Sequence, residues 1–179
     1  MRQIIPSQKC CVLIDGGYVD RLSKSARFDF IKFVEFLRSK YQLVNVVYFS
    51  VVPFYNDVFP KRKLLDWLSY NGFIVKEKAT KKKNIDSYHD LEGSVSLDIV
   101  LHAFEACEHT DGFVFVTDDP DMCAAIFALQ RKNKWIALVG AELRSGIRLS
   151  DDLRRAADVC LSLSAISAHH STVEATTDA

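Results

Sequence analysis

The residues with the clearest chemical potential are aspartates that follow short apolar runs. Asp15 ends Cys10-Cys11-Val12-Leu13-Ile14 and precedes Gly16-Gly17, while Asp118-Asp119-Pro120-Asp121 follows Phe113 to Val116. Asp98 stands on the first turn of a helix-spaced segment, Ser96 to Cys107. If the first and fourth apolar runs are neighbours in space, Asp15, Asp119, Asp121 and Asp98 converge. Ionised carboxylates about 5 Å apart repel by roughly 3 kcal/mol per pair at an effective dielectric of 20. That is a large share of the about 5 to 15 kcal/mol holding a domain together. A cation removes the repulsion. Oxygen ligands without a His or Cys cluster suit Mg²⁺ or Mn²⁺. Such an ion polarises a phosphoryl oxygen and lowers the pKa of a bound water, the chemistry of phosphodiester hydrolysis.

Local helix chemistry also accounts for some of these acids. Asp119 suits an N-cap, Pro120 an N1 position, and Asp121 and Asp98 the positive end of a helix dipole. Asp15 fits that account less well, because it ends a buried strand, where an unpartnered carboxylate is costly.

The elements that must position these residues alternate. Strands are expected at Cys10–Ile14, Leu43–Val52, Phe73–Val75, Phe113–Val116, Trp135–Val139 and Val159–Leu163. Each is a short apolar or β-branched run bounded by turn residues. Between them, helix spacing appears at Phe28–Lys40, around Leu64–Leu68, at Ser96–Cys107, at Pro120–Lys132 and at Ser150–Ala157, with Asn71-Gly72 as a helix-ending cap. Phe28, Phe30, Phe33 and Phe36 read as core. Lys76 to Gly93 lacks apolar periodicity and reads as an exposed loop. Alternation of this kind implies an α/β three-layer sandwich, with helices on both faces of a mostly parallel sheet of five or six strands. Ligands of such sheets sit at the carboxyl ends of the strands, where the winding reverses. Residues 1–164 are expected to form one domain, and 165–179 a polar, flexible tail without Lys or Arg.

Composition excludes much else. With 179 residues, 49% of them hydrophobic, 7 Gly and 4 Pro, the chain is neither disordered nor collagen-like. At this length a domain buries roughly 70% of its unfolded surface without needing staples. No apolar run approaches the about 20 residues of a membrane span, and a cytosolic protein is expected. The five cysteines (Cys10, Cys11, Cys107, Cys123 and Cys160) lack zinc spacing and read as reduced core thiols. There is no P-loop, dinucleotide fingerprint or defensible Ser-His-Asp set. The 23 basic and 23 acidic side chains balance, so an anionic ligand needs a local basic patch.

At these same residues the sequence resembles the NYN domains, relatives of the PIN-domain nucleases, and within them the LabA-like group. The matching stretches are Val12-Leu13-Ile14-Asp15-Gly16-Gly17-Tyr18, Ser96-Leu97-Asp98-Ile99-Val100-Leu101 and Phe115-Val116-Thr117-Asp118-Asp119-Pro120-Asp121-Met122, with Leu153 and Ala157-Asp158 resembling the closing motif. The resemblance implies a PIN-like, Rossmann-like sheet and a metal-dependent ribonuclease site. Asp15 matches the first-strand metal ligand and Asp98 the acid of the central helix. Asp119 and Asp121 match the two acids of the Ser-Gly-Asp-x-Asp-Phe turn, with Thr117 at its Ser. The chain departs from the family pattern at Tyr18, where Asn is usual, at Asp118 for Gly, and at Met122 for Phe. Ser94-Val95-Ser96-Leu97 stands in place of a Lys-Gly-Val sequence, which removes a lysine able to contact phosphate. These departures motivate an alternative, a non-catalytic module that keeps the acidic pocket and binds RNA or a protein. A phosphoacceptor domain modified at Asp15 ranks last, since it lacks an effector Lys after the fifth strand.

For the substrate side, Lys76, Lys78, Lys81, Lys82 and Lys83 form the densest basic stretch, followed by Lys61, Arg62 and Lys63. Single-stranded RNA is the expected partner, with Lys81, Lys82 and Lys83 on phosphates and Tyr18, Tyr55 and Tyr88 stacking on bases. Such lysine runs are also common as plain solvated surface. His102 reads as packed in its helix, and His89 as a weak proton-transfer candidate. His169 and His170 fall in the tail, and a homodimer is left open.

Overall fold

The computed structural model describes residues 8–23, 28–54, 59–80, 94–140, 149–163 and 166. In chain order these form β1 (Lys9–Asp15), α1 (Gly16–Ser23), α2 (Phe30–Lys40), β2 (Gln42–Pro53), α3 (Arg62–Tyr70), β3 (Ile74–Thr80), α4 (Ser96–Ala106), β4 (Gly112–Val116), α5 (Met122–Arg131), β5 (Trp135–Gly140), α6 (Asp151–Ala156) and β6 (Val159–Ser162). The six strands make one sheet in the order β3-β2-β1-β4-β5-β6, every neighbouring pair parallel. Successive crossovers therefore step one way from β1 to β3 and the opposite way from β4 to β6. A right-handed crossover puts its helix on a face set by the direction of the step, so the two halves clothe opposite faces.

The core shows this division. Cys10, Val12 and Ile14 of β1 point into one hydrophobic cluster with residues of α1, α2 and α3, such as Leu22, Phe33, Leu37 and Leu68. Cys11 and Leu13 point into the other, with Ile99 of α4, Ile126 of α5 and Leu153 of α6. A strand buried on both faces reads as an unbroken apolar run, which is why β1, β4 and β5 were legible. Phe28, Phe30, Phe33 and Phe36 are all buried, as their spacing predicts. Ile166, beyond the expected end of the domain at residue 164, is buried in the first cluster.

Three expectations are corrected. The turn expected at Gly16-Gly17 is the start of α1, whose Tyr18, Val19 and Leu22 are buried. The third strand runs to Thr80, so Lys76 and Lys78 belong to β3 rather than to a loop. As an edge strand it needs no apolar alternation, and lysines are usual guards of a free edge. Pro120 precedes the N-cap Asp121 of α5 instead of occupying N1.

The Ala157-Asp158 motif has a structural role. One Asp158 carboxylate oxygen accepts hydrogen bonds from the Ile136 backbone N–H (2.8 Å) and the Gln130 amide (3.2 Å), and the Asp158 N–H donates to the Ile136 carbonyl at 2.9 Å. The side chain thus ties the end of α6 to β5 and α5. Asp158→Ala strands these donors and is expected to cost about 1 to 2 kcal/mol. Thermal unfolding should show a melting temperature lower by about 2 to 8 °C; an unchanged value would mean that the clasp contributes nothing.

Candidate functional site

The winding reverses between β1 and β4, which pair in parallel with Ile14 opposite Val116. Asp15 and the Thr117-Asp118-Asp119 segment leave the carboxyl ends of these adjacent strands side by side, at the place where such sheets bind ligands.

Asp15 is held by the helix it precedes. Its Oδ1 accepts from the backbone N–H groups of Gly17 (2.8 Å) and Tyr18 (3.4 Å), so it caps α1. This corrects the expectation that Asp15 escapes the capping account. Burial nonetheless raises its carboxyl above the ordinary value. The two backbone N–H groups and Arg21 oppose that shift, and the nearby charge of Asp118 adds to it. Beneath it lies Tyr48, fully buried, whose hydroxyl has no hydrogen-bond partner among the described residues.

Asp118 pairs with Arg21 of α1 at 2.5 Å, a contact spanning 97 positions of the sequence. Asp119 is held at both oxygens: one accepts from the Asp121 N–H at 2.9 Å, the other from the Ser96 hydroxyl of α4. The Asp119 N–H donates to the buried Thr117 hydroxyl at 3.2 Å. Thr117 is thereby a turn-forming residue behind the acids. Asp121 is exposed, and its side chain makes no cap bond. Asp98 turns toward β3, where it pairs with Lys78 at 2.7 Å; the same ammonium donates to the Ser94 carbonyl at 2.9 Å.

The acids therefore lie along the carboxyl rim of the sheet, and each of Asp15, Asp98 and Asp119 has an internal partner. Among the described residues no three His, Cys, Asp or Glu side chains are grouped closely enough to hold a metal ion. The expected single cage of four aspartates is not assembled in this structure. The donors still suit a hard cation in kind, being carboxylate and hydroxyl oxygens. Asp15 in particular is a desolvated carboxylate whose charge a cation would stabilise.

Tyr18 does not serve as a stacking platform: it is 0% exposed, because helical spacing turns it into the core with Leu22. Lys81, Lys82, Lys83, Tyr55, Tyr88, His89, His169 and His170 lie outside the described residues. Lys61 pairs with Asp20 of α1, and Arg62 makes a double bond set to Glu77 at 2.6 and 2.9 Å. The sequence reading missed Arg21 as a partner of Asp118 and Ser96 as a partner of Asp119. Neither contact carries a local signal, since both join residues more than 20 positions apart.

Fold and rim together define a doubly wound, all-parallel α/β domain with an acidic switch point. A family model for the NYN domain matches residues 9–164, and the chain belongs to the NYN domain family. Membership implies a PIN-like nuclease fold, in a family whose nucleases act on RNA and generally use divalent metals. Among solved structures, a protein of unknown function from Vibrio parahaemolyticus is similar, with a TM-score of 0.71 and 22% identity over 90% of this chain and 96% of that one. That likeness shows the fold. No curated protein matches the sequence. Among the described residues no helix is long and apolar enough to cross a membrane.

Proposed function

We propose that the chain is a Mg²⁺- or Mn²⁺-dependent ribonuclease acting on single-stranded RNA at the carboxyl ends of β1 and β4. The observation that carries this reading is the β1–β4 register, which sets Asp15 beside the Thr117–Asp119 turn. Asp15, Asp98, Asp119 and Asp121 would hold the ion once Asp15, Asp98 and Asp119 exchange the internal partners they have here for it. When bound there, a divalent ion polarises a phosphoryl oxygen and lowers the pKa of a water. Asp119 is pre-oriented for the task by Ser96, the Asp121 N–H and Thr117. Arg21 offsets the charge of Asp118, which stands where the family has glycine, and keeps the rim approachable by a polyanion. Five free cysteines suit a reducing, cytosolic setting.

Purified protein is expected to cleave single-stranded RNA with Mn²⁺, to stop with a chelator, and to lose more than about 100-fold of its rate in Asp119→Asn, since a direct ligand costs more than the 10- to 100-fold of an outer partner. Cleavage indifferent to both changes would refute the assigned centre. A second reading is a non-catalytic RNA-binding module, favoured by the internal cations already on Asp118 and Asp98. It predicts salt-sensitive RNA binding with no metal-dependent product.

A further inference from the structure

A groove opens beside α4 and shares with the switch point only Asp98 at its upper end. α4 packs over β1, and the outer part of that sheet face, at the edge strand β3, stays largely exposed. The groove has a volume of about 230 Å³, and its walls include Lys76 and Lys78 of β3 and Asp98, Leu101, His102 and Glu105 of α4. Its upper end is Asp98, two residues from the Ser96 that holds Asp119. From Asp98 to Glu105 the helix rises about 10 Å, so the groove leads away from the rim along one wall of the domain.

Its chemistry is mixed in a specific way. Lys76 and Lys78, two positions apart on a strand, face the same side. Lys78 is committed to Asp98, whereas Lys76 makes no ion pair among the described residues. His102 has two ring nitrogens shielded from solvent and without hydrogen-bond partners among the described residues. Burial, and then the charge of Lys76, lower its basicity against the opposing pull of Glu105, whose carboxylate stands 3.7 Å from Nδ1. Leu101, 55% exposed, adds an apolar surface at the same wall. A cation and an apolar ledge match a phosphate and a base face, two parts of an unstacked nucleotide.

We propose that this groove is a nucleotide subsite, taking one unpaired ribonucleotide next to the bond presented at the switch point, with its phosphate on Lys76 and its base against Leu101. The proposal rests on the reading of the rim as a nuclease centre, and it is tested without cleavage. Fluorescence anisotropy of a labelled ten-nucleotide single-stranded RNA, titrated with the full chain in chelator, is the measurement. Lys76→Glu is expected to weaken binding about ten-fold and to lower the log–log salt slope by about 0.7, the share of one phosphate contact on a single strand. Leu101→Ala should weaken it about three-fold or more, through lost apolar contact. Lys132→Glu, the same charge change at the far end of α5, should bind as wild type. Wild-type affinity in both groove variants, or an equal loss in Lys132→Glu, overturns the subsite. Groove-dependent binding with no Mn²⁺-dependent product would instead sink the nuclease reading and leave the groove as an RNA site. Asp119-dependent cleavage with KM unmoved by Lys76→Glu and Leu101→Ala would do the reverse.

Discussion

Asp15→Asn is expected to lower metal-dependent RNA cleavage by more than about 100-fold while raising the melting temperature of the metal-free protein at pH 7. A direct ligand should cost more than the 10- to 100-fold typical of outer partners at a metal site. The stability change has the opposite sign for an electrostatic reason. Burial holds the folded-state pKa of Asp15 above the ordinary 3.8, despite the Tyr18 and Gly17 N–H groups and Arg21. A raised folded pKa means that the native state binds the proton more tightly than the unfolded chain does. The associated stability is fully present below about pH 3.8 and is lost as pH rises through the folded pKa. At neutral pH the ionised carboxylate is therefore a burden on the fold. Asparagine keeps an acceptor for the Gly17 and Tyr18 N–H groups and sheds the charge. Thermal unfolding in chelator from pH 4 to 8 should show the variant ahead at pH 7 and the gap narrowing toward pH 4. A variant less stable than wild type at pH 7 would show that the charge-assisted cap bonds outweigh burial. The expected pattern is a functional acid kept at a cost to stability.

The legible and illegible parts of this protein divide along physical lines. β1, β4 and β5 announce themselves because burial on both faces leaves no polar alternation, and the reversal of winding then points to Asp15 and the Asp118–Asp121 turn. The adjacency of β1 and β4, on which the convergence depended, is now observed. α1 was hidden because two glycines at its start read as a turn, although Tyr18, Val19 and Leu22 carry helical spacing. Tyr18 went to the core for that same reason. β3 was cut short because an edge strand has little apolar burial to betray it. The partners that decide the state of the acids, Arg21 for Asp118, Lys78 for Asp98 and Ser96 for Asp119, come from other elements. Sequence periodicity reports which way a side chain faces, but not which side chain of a distant element it meets. Lys78 shows the point well: the central helix lacks the lysine usual before its aspartate, and β3 supplies an ammonium group to Asp98 itself.

Gly16→Ala is expected to destabilise the protein by up to about 3 kcal/mol and to reduce cleavage along with it. In a helix this substitution ordinarily stabilises, by about 0.5 to 1 kcal/mol. Here the added methyl group has no room: a Cβ at Gly16 would stand 2.7 Å from the Phe49 carbonyl oxygen and 2.8 Å from the ring and hydroxyl of Tyr48. Phe49 is paired with Asp15 across β1 and β2, and Tyr48 is fully buried, so neither neighbour yields easily. Forcing a methyl group into such packing costs about 1 to 3 kcal/mol, which outweighs the gain in helix propensity. The strain falls on the first residue of α1, next to the carboxylate that caps it. At about 2 to 4 °C per kcal/mol for a chain of this size, the melting temperature should fall by as much as about 10 °C. Tyr48→Phe removes the hydroxyl oxygen from that contact while keeping the ring, and since this hydroxyl has no hydrogen-bond partner among the described residues it should partly rescue Gly16→Ala. If Gly16→Ala proved as stable as wild type, the close approach of α1 to β2 would be wrong, and with it the rigidity assigned to Asp15.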